Sequence, residues 1–390
     1  MYNGCMKVYR FYLGFIVPLA LFLSAFSLSG LILTQAGEYL PMKEVVRKLE
    51  KTGGVFGSGL HSQAFWYKQA TYRHFKPEIT LLGSSRALLM RQEQFNAPFV
   101  SLGMMRSIDE EAELAYSLFD EHAPKLLMFD MDYWWFHERF ETFRPKRTDD
   151  PAEVSLYELF KTIKWTISGK LPLGKIPHII SVKSPHLGMM GIIKGEGFDA
   201  HGSFWYHSSL TGDAEHKDPR FSATLAKLHS DDMAFARGPD ISEKQWKTFE
   251  DLMLWLKAKD IKVILFIPPL APTVFQAMEA EPPGSFAYID ALRVRTKKLV
   301  AAHGFSFFDF HDSMGTIGSD NCEFVDGIHG GIVTYTRMLL HMAERHANLR
   351  AYTDVNAMRQ EISTHKGHAS LLGSKETDFL KIGCLKDKGQ

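Results

Sequence analysis

Hydrophobic residues first gather in one long run near the N-terminus. No charged residue lies between Arg10 and Glu38, and residues 11–34 are mostly apolar. At about 1.5 Å rise per residue, a helix over this run is roughly 36 Å long, enough to cross a hydrocarbon core about 30 Å thick. The run therefore predicts a transmembrane helix, in which Pro18 is tolerated as a kink.

The charges on either side of this run predict its orientation. Lys7 and Arg10 precede it, whereas Glu38 follows. Because basic residues favour the cytoplasmic side, we expect a cytoplasmic N-terminus, a single pass through the inner (plasma) membrane, and the rest of the chain in the periplasm or outside the cell. A cleaved signal peptide is the alternative, although its apolar core is usually only about 7–15 residues long.

Beyond residue 75, short apolar runs alternate with helical patterns. The apolar runs are each bounded by Gly, Pro or Asp and lie at 78–83, 98–103, 124–132, 262–269 and 305–310. Runs of this kind suit strands that are buried on both faces. Apolar residues recur at helical spacing in 107–122, 242–259, 286–304 and 334–347. The alternation predicts an α/β fold with a parallel sheet and helices on both of its faces.

These patterns divide the chain into four parts. They are a cytoplasmic N-terminus and anchor (1–37), a stalk (38–75), an α/β domain (76–349) with an insertion at about 138–240, and a tail (350–390). The insertion interrupts the alternation with loops and short helices, and such insertions often shape a pocket. The tail has no sustained pattern, so we expect it to be loosely held.

Composition excludes several classes of protein. The 45 Lys and Arg residues balance the 45 Asp and Glu residues, and there is no basic block of the kind that binds nucleic acid. Three cysteines are too few for a disulfide framework, and we expect Cys322 to be a packed thiol, although one bridge is not excluded. No metal or cofactor is expected, since none of these histidines has ligand spacing: His201, His207, His216 and His229.

Two short motifs carry the candidate chemistry. Gly83-Ser84-Ser85-Arg86 follows the first apolar run and precedes a helical pattern. A serine there would lie at the carboxyl edge of the sheet, where the N–H groups of a helix start can bind an oxyanion. The alternative is that Ser84 and Ser85 merely cap the helix. In Asp326-Gly-Ile-His329, after the last apolar run, the Asp can hold the imidazole in the tautomer that accepts a serine proton.

Together the two motifs resemble those of the SGNH/GDSL hydrolase family, over roughly residues 78–136 and 261–345. The resemblance makes Ser85 the nucleophile and completes a catalytic triad with His329 and Asp326. Ser84 stands where the family has Asp. The family also implies an oxyanion hole formed by the amides of Ser85 and Gly103, but its third donor, an Asn, is replaced by Asp132, which cannot donate unless it is protonated.

The resemblance also implies an architecture and a setting. The fold would be a flavodoxin-like three-layer sandwich with a central parallel sheet of about five strands. The N-terminal helix, "GSSR", "DMDYWWF" and the insertion resemble the membrane-anchored branch of the family. Members of that branch handle acyl groups on cell-envelope polysaccharides, often beside a membrane-bound O-acyltransferase.

We therefore expect a serine esterase or an O-acetyltransferase that acts on acyl, most simply acetyl, esters of an envelope or exported polysaccharide. The sequence does not choose between hydrolysis and transfer. Because Ser84 and Asp132 depart from the family pattern, the alternative is an inactive module that binds polysaccharide or scaffolds an acyltransferase complex. Further candidates for substrate binding, which could instead pack within the fold, are Arg86, Trp134, Trp205 and Tyr206.

Overall fold

The computed structural model describes residues 2–59, 64–141, 156–181, 184–206, 218–369, 378 and 380–384. The chain divides into two compact units. The N-terminal unit comprises Met1–Gln63 and Thr148–Gly197, and the sheet unit comprises Ala64–Arg147 and Phe198–Gln390. The insertion predicted at 138–240 is thus shared between the two units.

The elements follow one another in the order that the hydrophobic pattern suggests. The strands are β1 (Ile79–Leu82), β2 (Phe99–Ser101), β3 (Leu126–Asp130), β4 (Glu196–Phe198), β5 (Phe204–Tyr206), β6 (Lys262–Ile267) and β7 (Ser306–Asp309). The first helices are α1 (Tyr2–Ala36), α2 (Met42–Thr52), α3 (Ala64–Phe75), α4 (Ile108–Phe119), α5 (Leu156–Ile167), α6 (Ile176–Ser181), α7 (Met189–Lys194) and α8 (Ser222–His229). They are followed by α9 (Glu243–Ala258), α10 (Pro272–Glu279), α11 (Ala287–His303), α12 (Ser313–Ile317), α13 (Ile332–Arg345), α14 (Ala347–Ala351) and α15 (Val355–His365).

The long apolar run at the N-terminus forms helix α1, as predicted. Its segment Gly14–Ala36 has a mean hydropathy of 2.3 and is long and apolar enough to cross a membrane. Most large apolar side chains of this segment are exposed, and Leu21 is the most exposed of them at 67%. A helix with apolar side chains on its outside has the pattern of a membrane span.

All five apolar runs beyond residue 75 form strands of one parallel sheet, which confirms the α/β prediction. The strand order is β2-β1-β3-β6-β7. Strands β1, β2 and β3 are buried along their whole length, as expected for strands covered on both faces. In a parallel sheet the carboxyl ends of the strands meet at one edge, so the residues that follow β1, β3, β6 and β7 lie near one another.

The predicted helices form where the sequence provides caps. Ser107 begins α4 and accepts a hydrogen bond from the Glu110 amide, and Ser242 begins α9 in the same way with the Gln245 amide. Gly304 ends α11 in the left-handed conformation, at a φ of 72°. These caps satisfy backbone groups that would otherwise lack partners at the helix ends. Helix α9 contacts β6, and α11 contacts β7.

The prediction of a helix directly after Gly83-Ser84 is wrong. The chain instead makes a single 3₁₀ turn at Ser85–Ala87 and a second at Gln92–Gln94. Leu88, Leu89 and Met90 are all buried, which a surface helix would not allow for three consecutive residues. The Leu88 carbonyl accepts from the Phe204 amide and the Met90 carbonyl from the Ser203 hydroxyl, so tertiary contacts hold this segment in its non-helical form.

The prediction of a loosely held tail is also wrong for the described residues after 350. Helix α15 packs on α13, and the Ile332 amide donates to the Ala369 carbonyl at 2.9 Å. Cys322, which we expected to be a packed thiol, forms a disulfide with Cys384. The tail is thereby joined covalently to the segment that leads to Asp326.

Candidate active site

The turn after β1 depends on the close approach of Gly83 to β3. A Cβ atom at Gly83 would lie 2.3 Å from the Cβ of Asp130, so this position admits only glycine. The next residue, Ser84, donates from its amide and its hydroxyl to Asp130 Oδ2, at 3.2 and 3.1 Å. Its hydroxyl also accepts from the Arg86 amide at 3.0 Å. Ser84 therefore caps the turn, and Ser85 next to it is partly exposed.

The turn between α12 and α13 is folded by the Asp326 side chain. Asp326 Oδ1 accepts hydrogen bonds from the backbone amides of Ile328 and His329, at 2.9 and 2.8 Å. The Val325 amide donates to the His329 carbonyl at 2.8 Å and closes the loop. Asp and His three residues apart are thus brought to the same side of one tight turn.

Ser85, His329 and Asp326 meet at the carboxyl edge of the sheet, although Ser85 and His329 are 244 positions apart in the sequence. The distance between Ser85 Oγ and His329 Nε2 is 2.8 Å, and that between His329 Nδ1 and Asp326 Oδ2 is also 2.8 Å. With Nδ1–H donating to the carboxylate, Nε2 is left as the acceptor for the Ser85 hydroxyl. The three side chains have the mutual geometry of a nucleophile, a base and an orienting acid.

This arrangement is open to solvent and electrostatically suited to proton transfer. The side chains of His329 and Asp326 are 17% and 27% exposed. Burial alone would raise the pKa of the Asp326 carboxyl, but His329 and three hydrogen bonds to the carboxylate hold that pKa below its usual value. Asp326 therefore stays ionised and can stabilise an imidazolium that forms on His329.

Gly103 lies beside the Ser85 turn. A Cβ at Gly103 would lie 3.0 Å from the Ser84 carbonyl oxygen and 3.0 Å from Leu88 Cδ2, so the loop after β2 approaches the turn closely. As the first residue of a 3₁₀ turn, Ser85 has an amide without an acceptor inside that turn. The Ser85 amide is thus a candidate donor to an oxyanion, and the Gly103 amide, which donates to Ser101 Oγ over a long 3.4 Å, is the second candidate.

Arg86, a candidate for substrate binding or for packing within the fold, pairs with Asp132, which stands where the SGNH/GDSL family has an oxyanion donor. Arg86 Nη1 lies 3.0 Å from Asp132 Oδ1, and both side chains are fully buried. Arg86 also donates to the carbonyls of Pro268, Pro269 and Ile328, at 2.9, 2.7 and 3.2 Å. Because all of these groups are inside the fold, Arg86 joins the ends of β1, β3 and β6 to the His329 loop, and Asp132 supplies its counter-charge.

Asp130 is a second carboxylate in this buried cluster. Burial and then the charge of Asp132 raise the pKa of Asp130 well above its usual value, which Arg86 and Ser84 only partly offset. One guanidinium thus faces two carboxyl groups, and Asp130 is the one that holds a proton more tightly. Asp132 remains the ionic partner of Arg86.

The aromatic candidates differ in their distance from the triad. The Tyr206 ring centre lies 6.2 Å from that of His329, and the Trp134 ring stands 5.2 Å from the Arg86 guanidinium. Trp205 instead stacks on Arg91 at 3.7 Å and donates from Nε1 to Asp199 at 3.2 Å. Tyr206 therefore remains a candidate for substrate contact, whereas Trp205 and Trp134 each pack against an arginine of the fold.

Sequence analysis missed three residues that hold the site in place. Asp130 receives the Ser84 turn, Tyr335 donates from its hydroxyl to the Arg86 carbonyl, and Asp218 accepts from the Gly327 amide at 3.3 Å. Asp130 had a visible signal, since it is a charged residue at the end of a buried strand and two positions before Asp132. The other two lie on separate elements and have no local motif.

Among the described residues, no group of three or more His, Cys, Asp or Glu side chains could hold a metal ion. The His201 ring stacks on Phe75 at 4.3 Å, and His229 lies 3.7 Å from Glu281. His207 and His216, which were considered with them, lie outside the described residues.

Comparison with known proteins adds no family to this description, because no protein-family model and no curated protein matches the chain. What can be said of the chemistry comes from the site itself. A hydroxyl hydrogen-bonded to an imidazole, which is in turn held by an ionised carboxylate, is suited to nucleophilic attack on a carbonyl carbon.

Proposed function

We propose that this protein is a serine-dependent acyl hydrolase or acyltransferase of the SGNH type. The observation that carries the proposal is the chain of two 2.8 Å contacts from Ser85 Oγ through His329 to Asp326. The strand order β2-β1-β3-β6-β7 agrees with the 2-1-3-4-5 order of flavodoxin-like sheets, in which ligands bind at the carboxyl ends of the strands. Ser85 follows the carboxyl end of β1, between the edge strand β2 and the middle strand β3, which supports a site at this edge of the sheet.

The reaction begins when Ser85 Oγ attacks the carbonyl carbon of an ester while His329 Nε2 takes the hydroxyl proton. The tetrahedral intermediate collapses to an acyl-serine, and the leaving alcohol receives that proton from His329. In the second half, water or a sugar hydroxyl attacks the acyl-serine with His329 again as base, the acyl–Oγ bond breaks, and Ser85 recovers its proton from His329. Asp326 stabilises the imidazolium in both halves, and the products are a free acid or a new ester.

The negative charge on the intermediate needs donors that point at it. Backbone amides are suited to this role because they are fixed before the reaction begins, and each well-placed donor is worth about 3–4 kcal/mol. The amides of Ser85 and Gly103 take this role in the proposal. Asp132 does not, since its carboxylate is paired with Arg86.

For the substrate we propose an acyl ester, most simply an acetyl ester, of an envelope or exported polysaccharide. Two features support this proposal. Tyr206 lies close to His329, and aromatic rings are suited to pack against sugars. Helix α1 would anchor the enzyme in the inner membrane with its N-terminus in the cytoplasm. In that membrane the enzyme would act beside a membrane-bound O-acyltransferase.

A fluorophosphonate probe tests this proposal, because it reacts with an activated serine and not with a capping one. Wild-type protein should be labelled at Ser85, as identified by peptide mass spectrometry, and Ser85→Ala should not be labelled. The matched control is Ser230→Ala, which removes an exposed serine from the end of α8 and should leave labelling unchanged.

The alternative, an inactive module that binds polysaccharide or scaffolds an acyltransferase, predicts a different result. Wild-type protein would then bind envelope polysaccharide but would not react with the probe at Ser85. Labelling at another serine with Ser85 untouched would equally contradict the proposed mechanism.

A further inference from the structure

Helix α5 of the N-terminal unit buries polar side chains and exposes large apolar ones, which is the reverse of a helix in a water-soluble domain. Its buried side chains include Glu158 and Thr162, which are 4% and 1% exposed. Its most exposed side chains are large and apolar, with Leu156 at 68%, Tyr157 at 67%, Phe160 at 50% and Ile167 at 82%. In water such a face would be unfavourable, since each apolar side chain loses about 1.5–3 kcal/mol when it is exposed rather than buried.

This apolar face continues onto helix α1. The Phe160 ring centre lies 4.7 Å from that of Phe26 and 6.2 Å from that of Phe22. Leu159 packs at Gly30, where an added Cβ would lie 3.8 Å from Leu159 Cδ2. Helices α1 and α5 thus present one continuous apolar surface.

The apolar side chains that α1 exposes indicate how deep in a bilayer α5 would lie. Exposed apolar side chains of α1 end at Leu31, because Ile32, Leu33 and Ala36 are buried in a cluster with Leu171, Ile179 and Met189. The lipid-facing part of α1 therefore ends near Leu31. Phe26, whose ring is nearer to that of Phe160 than the Phe22 ring is, lies five residues before that point, or about 8 Å along the helix. This distance is within the roughly 5–10 Å to which an interfacial helix enters the boundary between headgroups and acyl chains.

The charges of this segment match a phospholipid surface. Residues 156–181 contain four lysines, Lys161, Lys164, Lys170 and Lys175, and one acid, Glu158, which is buried. The segment between α5 and α6 also exposes Leu173, at 70%. Lysines interspersed with exposed apolar and aromatic side chains are typical of interfacial helices, whereas protein–protein interfaces are depleted in lysine.

We infer that α5 and the segment after it, through Leu173, lie in the lipid interface of the bilayer, at the end of the span where α1 ends. The partner is the lipid itself, with acyl chains around Leu156, Tyr157, Phe160 and Ile167 and anionic headgroups around the lysines. The N-terminal unit is then held by the membrane along two helices and not by one flexible anchor. The inference depends on α1 crossing the bilayer and is independent of the chemistry proposed for Ser85.

Site-specific fluorescence in vesicles tests the inference. Full-length protein with Cys5→Ser, which leaves the Cys322–Cys384 disulfide as its only other cysteines, is reconstituted into vesicles of phosphatidylethanolamine and phosphatidylglycerol. Single substitutions Phe160→Cys, Ile167→Cys and Leu173→Cys each receive an NBD label, and quenching by doxyl-labelled lipid is compared with quenching by aqueous iodide. Circular dichroism checks that each variant is folded.

Two matched positions calibrate the signal. Leu21→Cys reports α1 itself, and Val294→Cys reports an apolar side chain of α11 that is 52% exposed in the sheet unit. Labels at 160 and 167 should be quenched by doxyl lipid roughly twofold or more above the label at 294, and should be shielded from iodide. The label at 173 should be quenched more by lipid that carries the doxyl group near the headgroup than by lipid that carries it deep in the acyl chain.

The inference is overturned if the labels at 160, 167 and 173 behave like the label at 294, with free access to iodide. It is also overturned if they are shielded from both quenchers, which would mean that protein and not lipid covers the surface. If doxyl lipid quenches the label at position 21 but not the label at position 160, the inference about α5 is overturned, and α1 is still a membrane span. Loss of quenching at 21 as well would show that α1 does not cross the bilayer.

Discussion

Two sets of charged side chains lie at the carboxyl edge of the sheet, and they differ in their access to solvent. In the first set, Asp326 holds His329, and their side chains are 27% and 17% exposed. In the second, Asp132 holds Arg86, and neither side chain is exposed. Both sets lie close to the Ser84-Ser85 turn. Arg86 and Asp132 form an ion pair, and His329 and Asp326 form one when the imidazole is protonated, but only His329 and Asp326 are accessible to a substrate.

The difference shows that the type of a residue and its place in a motif do not determine whether it has a catalytic or a structural role. An acid at the end of a strand becomes part of a reactive site when its partner can exchange protons with a substrate. The same acid becomes a structural counter-charge when its partner is buried and bonded to backbone carbonyls, as Arg86 is. Changes in the exposed set should therefore affect catalysis, and changes in the buried set should affect stability.

The largest effect is expected from removing the base. His329→Ala leaves Ser85 without a proton acceptor and should lower hydrolysis of an acetyl ester such as p-nitrophenyl acetate by about 10⁵-fold or more. The control is His229→Ala, which removes a histidine with a 68% exposed side chain and should leave the rate unchanged. Near wild-type hydrolysis by His329→Ala would exclude His329 as the base.

Asp326→Asn should lower kcat by about 10⁴-fold while the protein remains folded. The amide oxygen can still accept from the backbone amides of Ile328 and His329, but it no longer carries the charge that stabilises the imidazolium. Steady-state kinetics measure the change, and a thermal melt checks the fold. An unaltered kcat with a lowered melting temperature would assign Asp326 to the structural set.

Substitutions in the buried set should lower the free energy of unfolding. Asp132→Asn leaves the Arg86 guanidinium buried without its counter-charge and should lower the free energy of unfolding by about 3–5 kcal/mol. Asp130→Asn should cost about 1 kcal/mol or less, because burial already favours the protonated, neutral form of Asp130. Denaturant titrations compare the two variants, and equal losses would contradict the assignment of the charge to Asp132.

A smaller effect is expected at another buried cation. Burial lowers the pKa of Lys68 to about 7, although Asp199 and Glu111 raise it in part, and Lys68 donates to the carbonyls of Ser101 and Gly202. In an unfolded chain the pKa of Lys is about 10.4, so between these two values the unfolded state binds more protons. The contribution of Lys68 to stability is therefore fully present above about pH 10.4 and is lost as the pH falls towards 7.

The free energy of unfolding of the wild type, measured relative to Lys68→Met, should rise between about pH 8 and pH 9 by up to about 1.4 kcal/mol. Denaturant titrations at the two pH values give this difference. Lys257→Met, which changes an exposed lysine of α9, is the matched control and should not alter the pH dependence. A difference that is constant with pH would mean that Lys68 stays charged in the folded protein.

Much of the fold could be predicted because it depends on local signals. The five strands are short apolar runs, and two of the predicted helices begin after Ser107 and Ser242, whose hydroxyls cap them, while a third ends at Gly304. The three residues of the candidate triad could be named because Ser85 lies in a short motif after β1, and Asp326 and His329 lie in a second short motif beyond the last strand. Their mutual distances follow from the parallel sheet, which brings strand ends together.

What could not be predicted depends on tertiary contacts. The 3₁₀ turn at Ser85 replaces a helix because Leu88 and Met90 use their carbonyls to bind the segment at Ser203 and Phe204. The Cys322–Cys384 disulfide joins residues 62 positions apart, and nothing local in the tail indicates where it packs. The pairing of Arg86 with Asp132 could not be predicted from the sequence either. A charged residue next to a nucleophile can face a substrate or can face the core, and the sequence does not distinguish the two.

The acyl-serine itself offers the most direct test of the reactive set. Wild-type protein is mixed with an acetyl ester, quenched in acid within the first turnover and digested, and the peptides are analysed by mass spectrometry. We predict one acetyl group on the peptide that contains Ser85, absent in Ser85→Ala and accumulating more slowly in Asp326→Asn. Turnover of the ester with no acetyl group on Ser85 at any time would contradict the account.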